Sequence, residues 1–234
     1  MKSTREFKNI HSGDDIWVIA AGSSMNHIRP SFFENKITIG INRICVKFDC
    51  DYLLAKDGRG FEIIKDNISD KTKIILSKHE SGNLYQNINK FNGECWTFEH
   101  PAKPGELPDV SCIAEDNDKI VVSYSTITSG IHMAAYMGAK NIIICGHDCG
   151  TIDGQSTIDG YYKEISPVQG SEDGYKRWLG MIENHTTFVC EHLRIQYDCN
   201  IHSLNPFINL NLEGHKYQPS NVTNILQRSE IKND

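Results

Sequence analysis

A run of six apolar residues, IWVIAA, occupies positions 16–21 and ends at Gly22, Ser23 and Ser24. A strand that is covered on both faces of its sheet has such an unbroken run, whereas a strand with one wet face alternates apolar and polar residues. The run therefore predicts a buried strand of a parallel sheet. Similar short runs that end in small or polar residues predict further strands at 37–41, 52–55, 73–76, 141–145 and 200–203.

Helical segments are predicted between several of these strands, at 25–33, 128–137 and 173–197. Strands that alternate with helices at short intervals form βαβ units, which build parallel sheets. The predicted fold is α/β and Rossmann-like, with a doubly wound, mostly parallel sheet and helices on both faces. We expect one domain over 1–234, with an irregular insertion at 79–118, which holds three of the seven prolines, and a polar tail at 207–234.

The composition excludes several classes of protein. A formal net charge of −6 disfavours broad attraction to nucleic acid or to an anionic membrane. The longest apolar run is far shorter than the roughly 20 residues of a transmembrane helix, and the first residues, MKSTREFKNIHSGDD, lack the apolar segment of a signal peptide. Eight scattered cysteines without a CxxC pair favour reduced, mostly buried thiols over disulfides or a zinc site. We therefore expect a cytoplasmic protein.

Small and polar residues follow the predicted strands, at the sheet edge where open parallel sheets bind ligands. This composition suits a phosphate-bearing or hydroxyl-rich ligand, although an ordinary turn or a helix cap explains each segment equally well. Two carboxylates, Asp57 and Asp148, follow strands and are candidates for binding a divalent cation or sugar hydroxyls. His147 and His185 are the candidate acid–base groups because histidine titrates near neutral pH. The segments are 22–24, 42–43, 56–57, 77–78, 128–130 and 147–148.

Four blocks of the sequence carry a family resemblance: WVIAAGSSM, TIGINR, YLLAKD and TITSGIHMAAYMGAKNIIICGHDC. Together they resemble the single-domain bacterial sialyltransferases that extend lipooligosaccharides, and the glycosyltransferase-like domain of motility-associated (Maf) proteins. The segment EHLRIQYDCNIHSLNP is similar to the one that closes the nucleotide-binding domain of those enzymes. The resemblance implies that a CMP-linked sugar binds across the sheet and that no metal is required.

The resemblance also implies roles for individual residues. The family's base is a histidine in the loop before the last long helix, and His185 corresponds best to it. Asp148 corresponds to the aspartate of the family's G-x-D motif, and these two are the candidate catalytic residues. By the same resemblance, Tyr161 or Tyr162 corresponds to a family tyrosine near the donor phosphate. Asp57 occupies the place of a family asparagine and is grouped with the donor-binding residues. The full set of candidate donor-binding residues is Gly22, Ser23, Ser24, Asn42, Asp57, Ser129 and Gly130.

The sequence thus predicts a glycosyltransferase that uses a nucleotide-activated sugar, CMP-linked by resemblance, with inverting transfer to an acceptor hydroxyl. The expected partners are the nucleotide-sugar and a glycan or small-molecule acceptor, with no obligatory cofactor. Two alternatives stay open. One is a Mg²⁺-dependent phosphotransferase or pyrophosphokinase that uses Asp57 and Asp148, although the phosphate-binding pattern GxxxxGK[ST] is absent. The other is a non-catalytic module that binds a nucleotide or a sugar.

Overall fold

A computed structural model describes residues 2–56, 65–78, 94–99, 119–148, 157–160 and 172–204 of the protein. Eight strands form a single sheet in which every neighbouring pair is parallel. The strands are β1 (Lys2–Ser3), β2 (Asp15–Ile19), β3 (Ile37–Ile41), β4 (Tyr52–Ala55), β5 (Lys73–Ser77), β6 (Cys95–Phe98), β7 (Asn141–Cys145) and β8 (Asn200–Ser203). The predicted parallel α/β fold and its six predicted strands are confirmed.

The strand order is β1-β6-β5-β4-β3-β2-β7-β8. From β2 the chain proceeds outward on one side through β3, β4, β5 and β6. It then returns to the other side of β2, where β7 and β8 are added. The order of the strands therefore reverses between β2 and β7, and ligands of open α/β sheets bind outside the carboxyl ends of the strands at such a reversal.

Two α-helices lie among the described residues, α1 (Thr126–Tyr136) and α2 (Glu172–Tyr197), close to the predicted positions. The predicted helix at 25–33 is instead two 3-10 helices, Ser23–His27 and Pro30–Phe33. Ile28 between them is extended, and Pro30 provides no N–H group for a continuous helix. Further 3-10 helices are Thr4–Phe7, Ile44–Val46 and Lys65–Asn67.

Each face of the sheet has its own apolar core. Ile16 and Val18 of β2 point to the face that α1 and α2 cover. Trp17 and Ile19 point to the opposite face, where the 3-10 segments bring Phe32 and other aromatic rings. Because successive side chains of a strand point to opposite faces, a strand buried on both sides needs apolar residues at every position. This requirement explains the unbroken apolar run in the sequence.

The predicted irregular insertion at 79–118 needs one correction. Residues Cys95–Phe98 form β6, which lies inside the sheet between β1 and β5, and its four side chains are buried. The segment CWTF is short and carries no periodic signal beyond its own four residues, so the polar sequence around it hid the strand. Apart from residues 94–99, the insertion lies outside the described residues, as does the tail at 207–234.

The cysteines in the described part of the chain form no disulfide bonds, and all but Cys45 are buried. Burial raises the pKa of Cys45 and Cys199 to about 11, so these thiols are poor nucleophiles at neutral pH. Cys112 and Cys149 lie outside the described ranges. Over those same ranges, no helix combines the length and the apolar character that crossing a membrane requires.

Candidate functional site

The loops after β2 and β7 meet where the strand order reverses. The backbone N–H of Ala20 donates to the carbonyl of Cys145 at 2.8 Å, and the N–H of Gly22 donates to the carbonyl of Gly146 at 2.8 Å. A side chain at Gly22 has no room, because a Cβ atom there would lie 2.4 Å from the carbonyl oxygen of Gly146. Glycine at this position therefore allows the two loops to extend the sheet beyond the ends of its strands.

Asp148 closes the junction between these two loops. One carboxylate oxygen accepts from the backbone N–H of Ser24 at 2.7 Å, and the other accepts from the Ser24 hydroxyl at 2.6 Å. The carboxylate is buried and lies where a Cβ atom on Gly22 would be, 2.5 Å away. Both of its oxygens are therefore engaged in holding the loop after β2. This geometry gives Asp148 a structural role, and its predicted catalytic role stays a prediction.

Three uncharged polar side chains at the carboxyl edge have a buried atom without a hydrogen-bond partner among the described residues: Ser23 Oγ, Asn42 Oδ1 and Ser203 Oγ. They follow or end the strands β2, β3 and β8. Buried polar atoms in native proteins are nearly always paired, so three orphans at one edge of the sheet indicate a ligand that would pair with them. Ser23 and Asn42 were predicted from the sequence.

Both the backbone conformation and a side-chain hydrogen bond fix the position of Asn42. Its φ of 54° lies in the left-handed region, which asparagine tolerates better than most residues. Its Nδ2 donates to the hydroxyl of Thr126 in the first turn of α1 at 3.3 Å. The amide thereby connects the end of β3 to the N-terminal end of α1, and its oxygen has no hydrogen-bond partner in the described part of the chain.

His185 lies within α2, so the prediction that it belongs to a loop before the helix is wrong. Its Nδ1 shares a hydrogen bond with the hydroxyl of Ser123, and its ring meets the ring of Tyr124 edge-on, with the centroids 4.5 Å apart. The imidazole is partly exposed, and partial burial lowers its pKa. A histidine with a lowered pKa is neutral at pH 7, which is the form that accepts a proton.

His147 is buried between the sheet and α2, and its Nε2 lies 3.1 Å from the hydroxyl of Thr186, the residue after His185. Burial lowers the pKa of His147 to about 4, so this ring is also neutral at pH 7. Its burial separates it from solvent and makes it the weaker candidate for proton transfer.

The similarity of this chain to known proteins lies in its fold. No protein-family model matches the chain, and no curated protein matches it. Among solved structures, the monofunctional α-2,3-sialyltransferase Cst-I from Campylobacter jejuni superimposes with a TM-score of 0.56. The match covers 90% of this chain and 82% of that chain at 14% sequence identity. The chain has the fold of the Campylobacter jejuni sialyltransferases.

Two further structures with this fold show the same level of similarity. CstII from Campylobacter jejuni, in complex with cytidine-5′-monophosphate, gives a TM-score of 0.52 at 14% identity, covering 89% of this chain and 85% of that chain. The apo form of an α-2,3-sialyltransferase from the same organism gives 0.51 at 15% identity, covering 92% and 85%. At such low identity the likeness concerns the fold, and it confirms the fold that the sequence resemblance implied.

Within the sialyltransferase fold of this chain, Ser129 and Gly130 have contacts in the core. The Ser129 hydroxyl donates to the carbonyl of Val121 at 2.7 Å. A Cβ atom on Gly130 would lie 2.5 Å from Ile41 Cδ1 and 2.9 Å from Val18 Cγ1, so glycine allows α1 to approach the sheet closely. Both residues are accounted for by these contacts, and their predicted role in donor binding stays a prediction.

Some predicted site residues cannot be located at this edge, because Asp57, Tyr161 and Tyr162 lie outside the described residues. Within the described ranges, no group of three or more His, Cys, Asp or Glu side chains is arranged to hold a metal ion. The predicted joint site of Asp57 and Asp148 stays a prediction.

Three residues of this edge were not predicted from the sequence: Ser123, Tyr124 and Ser203. Ser203 ends a strand that was correctly predicted, so applying the strand-end rule to β8 would have found it. Ser123 and Tyr124 precede α1 by a few residues and carry no motif of their own. Their place beside His185 depends on how α1 and α2 pack against each other.

Proposed function

We propose that the protein is a glycosyltransferase that uses a nucleotide-activated, CMP-linked sugar as its donor. The observation that carries this proposal is the pair of buried atoms without a hydrogen-bond partner among the described residues, Ser23 Oγ and Asn42 Oδ1, which follow the adjacent strands β2 and β3 beside the strand reversal. The similarity in fold to CstII, whose structure was solved with cytidine-5′-monophosphate, supports the choice of nucleotide.

The donor would lie across the carboxyl ends of β2 and β3. Hydroxyl and amide groups of a nucleotide or sugar pair readily with a serine hydroxyl and with an asparagine carbonyl oxygen. The N-terminal end of α1, which Asn42 contacts through Thr126, carries partial positive charge from unpaired backbone N–H groups. Such an end would stabilise the phosphate of the donor as negative charge develops on it during transfer.

His185 would act as the base. Nε2 removes the proton from the acceptor hydroxyl, and the oxygen attacks the anomeric carbon on the face opposite the phosphate. The bond between this carbon and the phosphate oxygen breaks, and CMP leaves with the electron pair. The product has the inverted configuration, and the histidine carries the proton until solvent removes it. The acceptor is a hydroxyl of a glycan or of a small molecule.

Nucleotide binding is tested by a thermal-shift screen with CMP, CDP, UDP, GDP and ATP, each with and without Mg²⁺. A ligand at one hundred times its Kd stabilises the native state by about 2.7 kcal/mol. For a protein of this size, that stabilisation raises Tm by roughly 5–11 °C. We expect CMP to give the largest shift. A larger shift with ATP that depends on Mg²⁺ would instead favour the phosphotransferase alternative.

The substitution Asn42→Gly tests the site itself. Glycine keeps the left-handed backbone at position 42 and removes the amide, so the CMP shift should shrink. The matched control is Asn35→Gly, because Asn35 has a φ of 61°, is exposed and precedes β3 at the opposite edge of the sheet. An unchanged CMP shift in Asn42→Gly would contradict the placement of the donor.

The substitution His185→Ala tests the base. A general base contributes roughly 10²–10⁴-fold to a rate, so the release of CMP from a CMP-sugar with a panel of acceptor glycosides should fall by that factor. The CMP-induced thermal shift should persist. Full transfer by the variant would overturn the assignment of the base. A wild-type protein that binds CMP and transfers no sugar would favour the alternative of a binding module.

A further inference from the structure

Ser123 and Tyr124, in the segment before α1, contact the ring of His185 at two places. The hydroxyl of Ser123 shares a hydrogen bond with Nδ1, and the ring of Tyr124 meets the imidazole edge-on. Ser123 is buried, whereas Tyr124 is 37% exposed. One contact therefore comes from a buried hydroxyl and the other from a partly exposed ring. Together they restrict the side-chain torsions of His185.

The backbone of this segment adopts an uncommon conformation. Tyr124 has a φ of 50°, in the left-handed region that a bulky L-residue rarely occupies. Neighbouring hydrogen bonds fix this turn: the N–H of Ser123 donates to the Thr128 hydroxyl at 3.1 Å, and the N–H of Ser125 donates to the carbonyl of Ser123 at 2.5 Å. Strained backbone that its surroundings hold in place is concentrated at functional sites.

The contact with Ser123 determines which imidazole nitrogen is available. Nδ1 is occupied, and within the described part of the chain no hydrogen bond is formed at Nε2 of this partly exposed ring. An acceptor hydroxyl can therefore reach Nε2. A base must be unprotonated at its reactive nitrogen, so the proton of the neutral ring has to reside on Nδ1, where the serine oxygen can accept it.

We propose that Ser123 and Tyr124 are positioning residues for His185: the Ser123 hydroxyl holds the ring as the Nδ1–H tautomer, and Tyr124 keeps Nε2 directed at the cleft. This inference rests on the proposed function, in which His185 is the base. Neither residue transfers a proton itself. The nearest sequence block that resembles the sialyltransferases begins after these two positions, at Thr126.

The tautomer is measured directly on the ligand-free protein. Long-range ¹H–¹⁵N correlation spectra of the ¹⁵N-histidine-labelled protein distinguish a protonated from an unprotonated ring nitrogen, and comparison with His185→Ala assigns the signals. We expect wild-type His185 to carry its proton on Nδ1. A wild-type ring with its proton on Nε2 would overturn the proposal without any variant of Ser123.

Variants then test each contact. Ser123→Ala should shift the ring toward the Nε2–H tautomer and lower kcat about tenfold, the rate equivalent of one neutral hydrogen bond, with little change in KM for the donor. Ser123→Thr retains the hydroxyl and should restore both. Ser125→Ala is the matched control, because this neighbouring serine caps α1 without a side-chain hydrogen bond.

Tyr124→Asn tests the second contact, since asparagine tolerates the left-handed backbone but lacks the ring. We expect kcat to fall while the tautomer of His185 is retained. An unchanged tautomer in Ser123→Ala, or the same kcat in Ser123→Ala and Ser125→Ala, would overturn the role of Ser123. If His185→Ala transferred sugar normally while Ser123→Ala still changed the tautomer, the base assignment would fail and the hydrogen bond would stand as purely structural.

Discussion

Replacement of Asp148 should expose how much of the candidate site depends on one buried carboxylate. Both of its oxygens accept hydrogen bonds from Ser24, at 2.7 Å from the backbone N–H and 2.6 Å from the hydroxyl. In Asp148→Ala the buried N–H and hydroxyl of Ser24 lose these acceptors. The loop after β2, which carries the orphaned hydroxyl of Ser23, then loses its main side-chain attachment to the loop after β7.

The magnitude follows from the two hydrogen bonds. Each bond to a charged group contributes about 1.5–3 kcal/mol. Because one carboxylate makes both, we expect the free energy of unfolding of Asp148→Ala to fall by about 3–5 kcal/mol. This corresponds to a loss of roughly 6–20 °C in Tm for a protein of this size. Asp148→Asn should lose only about 1–2 kcal/mol, because its carbonyl oxygen can accept from the N–H and its amide can donate to the hydroxyl.

The assay combines thermal or urea unfolding with the CMP shift on wild type, Asp148→Ala, Asp148→Asn and Ser24→Ala. Ser24→Ala removes only the hydroxyl, so its stability should lie between those of wild type and Asp148→Ala. The double variant Ser24→Ala with Asp148→Ala should be little less stable than Asp148→Ala alone, because the shared bonds are already lost.

A different pattern would refute this reasoning. If Asp148 were a proton-transfer group with no structural task, Asp148→Asn would abolish sugar transfer and leave Tm unchanged. Equal stabilities of Asp148→Ala and wild type would likewise show that the contacts with Ser24 do not hold the loop.

Two further predictions concern packing and pH. Gly130→Ala should destabilise the protein by about 1–3 kcal/mol through overpacking against Val18 and Ile41. Gly180→Ala on α2, where an added Cβ meets nothing within 4 Å, should not lower stability. Equal urea unfolding midpoints of these two variants would contradict the prediction. Burial lowers the pKa of His147 to about 4 and that of His132 to about 3, so between these values and 6.5 the unfolded chain binds more protons than the folded one. Stability should therefore fall as the pH drops from about 6.5 toward 4, by up to about 1.4 kcal/mol per pH unit for each histidine. His147→Gln should show a shallower dependence than wild type in urea unfolding between pH 7 and pH 5, and identical slopes would show that this histidine is not buried in its neutral form.

The core of the sheet was predictable because the hydrophobic effect is not directional, so a run of apolar residues identifies a buried strand without knowledge of its partners. The run at 16–21 and its five counterparts each identify a strand from their own residues. The strand at 95–98 was missed because only four buried residues stand within a polar stretch. The 3-10 helices at 23–33 were mistaken for one helix, because the predicted helix at 25–33 ran through Pro30, where the structure has a break.

The candidate site was predictable only in part. Strand ends meet at one edge of a parallel sheet, so the positions of Gly22, Ser23 and Asn42 followed from the sheet alone. Whether a polar atom at that edge is paired or free could not be read from the sequence. Asp148 resembled a site carboxylate, and the structure shows both of its oxygens engaged by Ser24, 124 positions away.

The sequence by itself determined that the chain forms a parallel α/β sheet and that its polar residues gather at the carboxyl ends of the strands. The tertiary structure decided which of those residues are paired with one another in the described part of the chain. It pairs His185 with Ser123 across 62 positions and, among the described residues, gives one buried polar atom each of Ser23, Asn42 and Ser203 no hydrogen-bond partner. The physical reason is that a hydrogen bond depends on distance and angle between two particular atoms. When those atoms come from distant segments, only the packing of helices on the sheet brings them together.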